Sequence, residues 1–251
     1  MKFSIIGFGN LGQALVHALI NSGSAKPTDI NIFDKSSEAL ELAKSDAFNV
    51  SALTDINSAI DSADVVFLTL KGYVFEQLSA EIDRELLSGK TVVSCMAGET
   101  FDDIYAHIGK VELVRAMPSL AIAFLEGVIG YTKSPQFLSN IFNKFGYALE
   151  TSPENIEKFM AFSACGLGYA AYLIDAFAVA GEEMGFSVET AAEIAGLTFK
   201  NAVDRGGFKN TVKAVATPGG ATEQGVSYMD ECHVHDIVAQ AIARAYARYT
   251  S

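Results

Sequence analysis

Two glycine-rich segments contain the residues whose types and spacing could perform chemistry. In the first, Pro218 and the adjacent Gly219 and Gly220 are followed by Ala221 and Thr222. Consecutive glycines expose backbone N–H groups, and the Thr222 hydroxyl and the Glu223 carboxylate follow where a new helix is expected to begin. The segment is therefore predicted to bind a small anion.

The second segment has the glycine spacing of a dinucleotide-binding loop. Its residues are Gly7-Phe8-Gly9-Asn10-Leu11-Gly12. In such a loop the first glycine permits a tight turn, the second lets a pyrophosphate approach the backbone, and the third lets helix and strand pack closely. Because the loop follows the first apolar run and opens an amphipathic segment, we expect it to bind a dinucleotide.

The residues after the second predicted strand bear on which dinucleotide is bound. Asp34 lies about 20 residues beyond Gly12, where an acid binds ribose hydroxyls and repels a 2′-phosphate, which favours NAD. Lys35 and Ser36 follow, and a cation with hydroxyls would suit the 2′-phosphate of NADP. Ser36 could equally cap the next helix. At the level of sequence, NAD and NADP both remain open.

The elements that must position these residues change in character near residue 152. Before it, short apolar runs alternate with amphipathic segments, which predicts βα units with a parallel sheet. The predicted strands are Phe3–Ile6, Ile30–Phe33, Val65–Leu70, Thr91–Ser94, Leu113–Arg115 and Val128–Tyr131. From Pro153 onward only helices are expected, with breaks near Gly185, Gly206 and Gly219. We predict an α/β fold: a Rossmann-type, doubly wound parallel sheet over residues 1–152, then an all-helical dimerisation domain over residues 153–251.

The composition narrows the classes of partner. The net charge is −12 and no Lys/Arg cluster occurs, so neither nucleic acid nor a membrane surface is an expected partner. Cys95, Cys165 and Cys232 are widely spaced in apolar surroundings, which predicts free cytosolic thiols and no metal site. The apolar run Ala161–Gly181 is interrupted by Asp175, so we expect it to be buried between subunits. The N-terminal run is too short for a signal peptide, and we expect a cytoplasmic protein.

Together these motifs resemble those of the pyrroline-5-carboxylate reductase family over nearly the whole chain. The loop at Gly7–Gly12 resembles the family's GxGNMG loop, and four further segments resemble other family motifs: the strand and lysine at Ala63–Lys71, the Ser-x-x-Ala-Gly turn at Ser94–Gly98, the Arg-x-Met-Pro turn at Val114–Pro118 and the Pro-Gly-Gly-Thr-Thr loop at Pro218–Thr222. The resemblance implies a Rossmann domain, a helical dimerisation domain and a homodimer or a higher oligomer of dimers.

The chain departs from the family pattern in several places. Gly72 stands where proline is usual, and Ser119-Leu120-Ala121 replaces Asn-Thr-Pro. Segment 163–169 departs from the signature Ser-Gly-Ser-Gly-Pro-Ala-Tyr, and Met160 replaces a threonine. A reductase of another small imino or keto acid, or a nucleotide-binding regulator without catalysis, is therefore an alternative to the family reaction.

The resemblance implies reduction of pyrroline-5-carboxylate to proline by hydride transfer from NADPH or NADH, with no metal or triad. The N–H groups of Gly219, Gly220 and Ala221 would bind the substrate carboxylate, and the Thr222 hydroxyl would contact the ring nitrogen as the catalytic contact. Ser163 would also bind substrate. The alternative for Thr217 and Thr222 is that both cap helices.

The resemblance also implies a set of cofactor contacts. They are Gly7, Phe8, Gly9, Asn10, Leu11, Gly12, Asp34, Lys35, Ser36, Thr69, Lys71, Ala97, Gly98, Met117 and Pro118. Lys71 and Arg115 each follow a predicted strand at the edge where open α/β sheets bind ligands. For Arg115, a structural ion pair with an acid is an equal alternative.

Overall fold

The computed structural model describes residues 1–249 and divides the chain into two compact units. The first comprises residues 1–165 together with the C-terminal segment from Tyr246, and the second comprises Gly166–Ala245. The first contains a sheet with helices and the second contains helices. The predicted fold class is confirmed.

A single sheet of eight strands organises the first unit. The strands are β1 (Phe3–Ile6), β2 (Ile30–Phe33), β3 (Ser51–Leu53), β4 (Val65–Leu68), β5 (Thr91–Ser94), β6 (Glu112–Pro118), β7 (Gly127–Tyr131) and β8 (Gly146–Glu150). Their order is β3-β2-β1-β4-β5-β6-β7-β8, and every neighbouring pair is parallel except β6 and β7. The order reverses at β1, which lies between β2 and β4, so the carboxyl end of β1 opens the crevice in which such sheets bind ligands.

Six of the eight strands match the sequence prediction, with small differences in length. The two that were missed are β3 and β8, and neither contains a fully buried residue. By contrast, all four residues of β1, β4 and β5 are buried, which gives the continuous apolar runs typical of parallel sheets.

Helices cover both faces of the sheet. They are α1 (Asn10–Asn21), α2 (Ser37–Lys44), α3 (Ile56–Asp61), α4 (Gly72–Ser79), α5 (Phe101–Ile108), α6 (Gln136–Phe142) and α7 (Ile156–Phe162). Leu15 of α1 and Phe142 of α6 belong to one buried apolar cluster, whereas Phe75 of α4 and Ile104 of α5 belong to another. Two apolar layers on one sheet are the arrangement expected of a doubly wound fold.

Helix α7 continues the first unit past the predicted boundary at residue 152. Ile156 and Met160 of α7 pack against Met117 of β6 in a small buried cluster. The helix is therefore part of the sheet unit, which ends at Cys165. The boundary at residue 152 marks the end of the strands and not the end of the compact unit.

The second unit is built from helices whose breaks lie where glycines predict them. The helices are α8 (Gly166–Glu183), α9 (Val188–Arg205), α10 (Phe208–Val215), α11 (Ala221–Glu231) and α12 (Val234–Ala247), which runs on into the first unit. Gly185, Gly206 and Gly219 all have positive φ, a conformation that glycine adopts without strain.

Little of this helical unit is buried within one chain. Its buried apolar residues are Ala178, Ala191 and Ala195, while Tyr172 and Met184 are more than 70% exposed. Within residues 1–249, Pro153–Glu183 is long and apolar enough to cross a membrane by length and composition, and 6% of its most apolar window is buried. Exposed apolar surface of this kind is typical of an interface with another chain.

Candidate functional site

Each glycine of the loop between β1 and α1 has a different structural role. Gly7 has a φ of +103° and donates its N–H to the carbonyl of Phe33 at 2.8 Å. A Cβ at Gly12 would collide with the carbonyl oxygen of Gly7, so α1 can start only if residue 12 has no side chain. A Cβ at Gly9 would meet nothing within 4 Å. Gly9 therefore leaves open space beside the loop, as a bound pyrophosphate requires.

Asp34 contacts the loop itself. Its carboxylate accepts the N–H of Phe8 at 2.6 Å and the N–H of Ser36 at 2.9 Å. Charge-assisted bonds of this kind are strong, so Asp34 fixes the conformation of the glycine loop. Its predicted role as a direct ribose ligand stays a prediction, and the structure adds an architectural role that the sequence did not indicate.

The two residues after Asp34 are engaged in local contacts. The Lys35 ammonium lies 2.9 Å from Glu81, in a pair whose side chains are both more than half exposed. The Ser36 hydroxyl accepts the N–H of Ala39 as the cap of α2 and donates to Glu38, whose pKa it lowers. The capping alternative for Ser36 is confirmed, and a 2′-phosphate contact for either residue stays a prediction.

Seven predicted cofactor residues line one cleft of about 870 Å³ at the carboxyl ends of the central strands. They are Gly9, Asn10, Leu11, Thr69, Lys71, Ala97 and Gly98. The Thr69 hydroxyl donates to the carbonyl oxygen of Gly7 at 2.6 Å, which connects the end of β4 to the glycine loop. Lys71 is the N-cap residue of α4, and its side chain makes no capping hydrogen bond. Its ammonium forms no ion pair within the described residues.

The cleft also contains residues that the sequence did not indicate, among them Cys95, Glu99, Arg248 and Tyr249. Burial raises the pKa of the Cys95 thiol to about 12, against a smaller lowering by Arg115, so the thiol is neutral near pH 7 and is a poor nucleophile. Burial, with a smaller contribution from Asp103, raises the pKa of Glu99. The cleft is therefore lined by two cations, Lys71 and Arg248, and by one acid, Glu99, whose ionisation is disfavoured.

Arg115 forms a buried ion pair, which decides between its two predicted roles. Its Nη2 lies 2.5 Å from Oε1 of Glu157 and donates to the carbonyl of Met96 at 3.0 Å. The same Glu157 oxygen accepts the N–H of Gly98 at 3.0 Å. Arg115 is thus a structural partner of an acid, and the pair holds the Ala97-Gly98 turn at the cleft. Glu157 gave no sequence signal because its partners are distant in the chain.

Met117 and Pro118 do not line this cleft, and their contact with the cofactor stays a prediction. Both lie in β6 opposite β7, and the Met117 side chain is buried against α7. Ser163, predicted to bind substrate, follows α7 and donates its hydroxyl to the carbonyl of Phe159 at 2.8 Å. Its substrate contact stays a prediction.

In the second unit, the loop before α11 has the predicted turn but fewer open donors than predicted. Gly219 donates its N–H to Glu223 at 2.7 Å, and Gly220 donates to the carbonyl of Thr217 at 2.8 Å. Two of the three predicted carboxylate donors are therefore occupied within the loop. The N–H groups of Ala221 and Thr222 begin α11 and lack an intrahelical acceptor.

Thr222 is the second residue of α11 and is exposed. Gly220 is the N-cap of this helix, and no side chain caps it. Ala216 is the C-cap of α10, so the alternative that Thr217 and Thr222 cap the flanking helices is wrong. The cysteines are free, as predicted, but Cys232 is exposed and does not lie in an apolar environment. Among residues 1–249, no three His, Cys, Asp or Glu side chains cluster in a way that could hold a metal ion.

Comparison with known proteins accounts for both halves of the chain. A family model described as pyrroline-5-carboxylate reductase dimerisation matches residues 153–251, and one described as NADP oxidoreductase, coenzyme F420-dependent, matches residues 2–98. The chain is 28% identical to pyrroline-5-carboxylate reductase of Aquifex aeolicus, covering 97% of this chain and 94% of that protein. It is 27% identical to pyrroline-5-carboxylate reductase 1 of Dictyostelium discoideum over 90% of its own length, and it spans 45% of that longer protein.

The fold has close counterparts among solved structures. Pyrroline carboxylate reductase of Plasmodium falciparum, crystallised with NADP bound, superposes with a TM-score of 0.89 at 20% identity, covering 99% of this chain and 97% of the other. The glycine loop, the cleft at the switch point and these matches define the class: an NAD(P)-dependent oxidoreductase with a Rossmann domain followed by a self-associating helical domain. Within that class, the chain is similar to the pyrroline-5-carboxylate reductases, whose dimerisation model and named relatives it matches.

Proposed function

We propose that this protein reduces the cyclic imine pyrroline-5-carboxylate to proline, with the hydride supplied by NADPH or NADH. The observation that carries the proposal is that one chain holds both parts of the reductase, in the family's order and over nearly the full length of a relative of that name. The glycine loop and cleft form a nucleotide site within the first unit. The first turn of α11 supplies N–H groups and the Thr222 hydroxyl, which are suited to an imino acid.

The reaction requires little acid–base chemistry from the protein. A protonated cyclic imine is already a good electrophile, so rate is gained by positioning the imine carbon against the nicotinamide and by excluding water. The N–H groups that begin α11 are suited to the substrate carboxylate, and the Thr222 hydroxyl is suited to a hydrogen bond with the ring nitrogen. The nicotinamide supplies the hydride when bound, and the neutral Cys95 thiol supplies no nucleophile.

Three further features support the proposal and belong to it. The exposed apolar surface of α8 and its neighbours is suited to a homodimer, or to a higher oligomer of dimers, as the dimerisation model also suggests. The free thiols suit the reducing cytoplasm. The net charge of −12 is unsuited to nucleic acid or an anionic membrane.

The experiment is a spectrophotometric assay of NADH and NADPH oxidation with pyrroline-5-carboxylate, on the wild type and on Thr222→Val. The substitution keeps the shape of the side chain and removes the hydroxyl. Loss of a hydrogen bond to a charged or developing polar group costs about 1.5–3 kcal/mol, so kcat/KM should fall roughly ten- to a hundredfold. Nucleotide affinity should be unchanged, because Thr222 lies in the helical unit.

Thr217→Val is the matched control, since Thr217 contributes its backbone carbonyl to the turn and keeps that carbonyl in the variant. It should retain activity close to that of the wild type. Full activity of Thr222→Val, or no turnover of this imine with either cofactor, would contradict the proposal. Turnover of a different imino or keto acid would instead support the alternative that the departures at Ser119 and Met160 allow.

A further inference from the structure

The last described residues of the chain enter the nucleotide cleft. Arg248 and Tyr249 line it together with Gly9, Lys71 and Gly98. They follow α12, and their contacts with the cleft lie within the first unit. No motif in the sequence assigns either residue to the nucleotide site.

The Tyr249 ring packs directly on the turn at Gly98. A Cβ built on Gly98 would lie 2.8 Å from Cδ1 of the ring, closer than real side chains approach. The ring can occupy this position because residue 98 has no side chain. The backbone N–H of Gly98 donates a hydrogen bond to Glu157, which fixes the turn against which the Tyr249 ring packs. Tyr249 as a whole remains 38% exposed.

The Arg248 guanidinium lies over that ring, with 5.8 Å between its Cζ and the ring centroid. This distance is in the range of a cation–π contact. Within residues 1–249, Arg248 has no acid at ion-pair distance. Its position in the cleft leaves the guanidinium free to meet a ligand, and its planar array of donors suits phosphate oxygens.

We propose that Arg248 binds a phosphate group of the nicotinamide dinucleotide, and that Tyr249 is a positioning residue that holds the guanidinium at the cleft. The inference rests on the proposed function only in that the ligand is NADPH or NADH. The first unit thereby supplies two cations to the bound phosphates, Lys71 beside β4 and Arg248 from the C-terminal segment. The Tyr249 ring sets the position of the second cation.

The test is a fluorescence titration of the full-length protein with NADH and with NADPH, without imine. Arg248→Gln should raise Kd about tenfold, the effect of losing one charge-assisted contact. Arg244→Gln is the matched control, because Arg244 is exposed on α12 and does not line the cleft. Its Kd should stay within about twofold of the wild type. The difference should shrink at high salt, where exposed charges are screened over about 3 Å at 1 M.

A pair of Tyr249 variants tests the positioning role. Tyr249→Phe keeps the ring face and should bind nucleotide like the wild type, whereas Tyr249→Leu should weaken binding severalfold. Equal Kd values for Arg248→Gln and Arg244→Gln would overturn the proposal. Tighter binding by Tyr249→Leu would also overturn it, because the ring would then occupy the nucleotide's own place.

The outcomes separate this inference from the proposed function. Nucleotide binding that depends on Arg248, without turnover of pyrroline-5-carboxylate, would reject the function and keep the inference. Turnover with an Arg248→Gln protein of unchanged Kd would reject the inference and keep the function. Absence of nucleotide binding by the wild type would overturn both.

Discussion

Replacement of Glu157 by glutamine should destabilise the protein much more than its modest change in shape suggests. The Arg115 side chain is 4% exposed and that of Glu157 is 12% exposed, so the ion pair is shielded from water. Glutamine still presents an oxygen to the N–H of Gly98 but removes the counter-charge of Arg115. A buried charge left without its partner costs about 3–5 kcal/mol.

The magnitude can be checked against a matched exposed pair. Glu81→Gln makes the same substitution in the pair with Lys35, where both side chains are more than half exposed, and should cost less than about 1 kcal/mol. For a domain of this size, about 1 kcal/mol corresponds to about 2–4 °C in Tm, so Glu157→Gln should lower Tm by roughly 6–20 °C. Self-association shifts apparent stability, so urea and thermal unfolding must be compared at one protomer concentration.

The double variant Arg115→Met with Glu157→Leu separates the cost of an unpaired charge from the net contribution of the pair. Buried Nε of Arg115 and Oε2 of Glu157 have no hydrogen-bond partner among the described residues, so the pair is only partly satisfied. Apolar replacement of both partners should recover most of the stability lost in Glu157→Gln. If Glu157→Gln unfolds at the same urea concentration as Glu81→Gln, the electrostatic account of this pair is refuted.

Two further predictions concern the glycine loop and the helical unit. Gly9→Val should fold with a near-wild-type Tm yet lose nucleotide binding, because its side chain enters open space that the pyrophosphate needs. Gly12→Ala should lower the free energy of unfolding by about 1–3 kcal/mol, because its Cβ collides with the Gly7 carbonyl oxygen. Thermal unfolding with nucleotide titration checks both, and an unchanged Kd in folded Gly9→Val would contradict the loop assignment. Sedimentation should detect no stable monomer at micromolar concentration, because α8 has one buried residue in the single chain; a well-behaved monomer would refute burial of Ala161–Gly181 between subunits.

The parts of the fold that sequence predicted best are those with the least ambiguous periodicity. β1, β4 and β5 are buried along their whole length and appear as uninterrupted apolar runs. β3 and β8 lie at the two edges of the sheet and alternate weakly, so no apolar run identified them. The helix breaks of the second unit were predictable because glycine with positive φ is a local requirement.

The site divides in the same way into local and long-range features. The glycine loop is a contiguous motif, and its spacing predicted both its place and its turn. The Arg115–Glu157 pair joins residues 42 apart in the sequence, and the contact of Tyr249 with Gly98 spans more than half the chain. Neither has a local pattern, and only the folded sheet brings these residues together. Asp34 was predicted to be functional from its position, but its hydrogen bonds to the loop required the backbone geometry.

Gly72 illustrates how a departure from a family pattern acquires a physical meaning. In sequence it is only a glycine where the family pattern has proline, and in the structure it is the first residue of α4. In the structure, a Cβ at this position would meet the end of the flexible Glu99 side chain, so the carboxylate occupies its present place beside Gly72 because residue 72 has no side chain. Glu99 lies near the start of α4, where backbone N–H groups lack intrahelical acceptors and favour negative charge. Burial opposes that charge and raises the pKa of Glu99. The absence of a side chain at Gly72 therefore leaves room at the start of α4 for a titratable acid that lines the cleft.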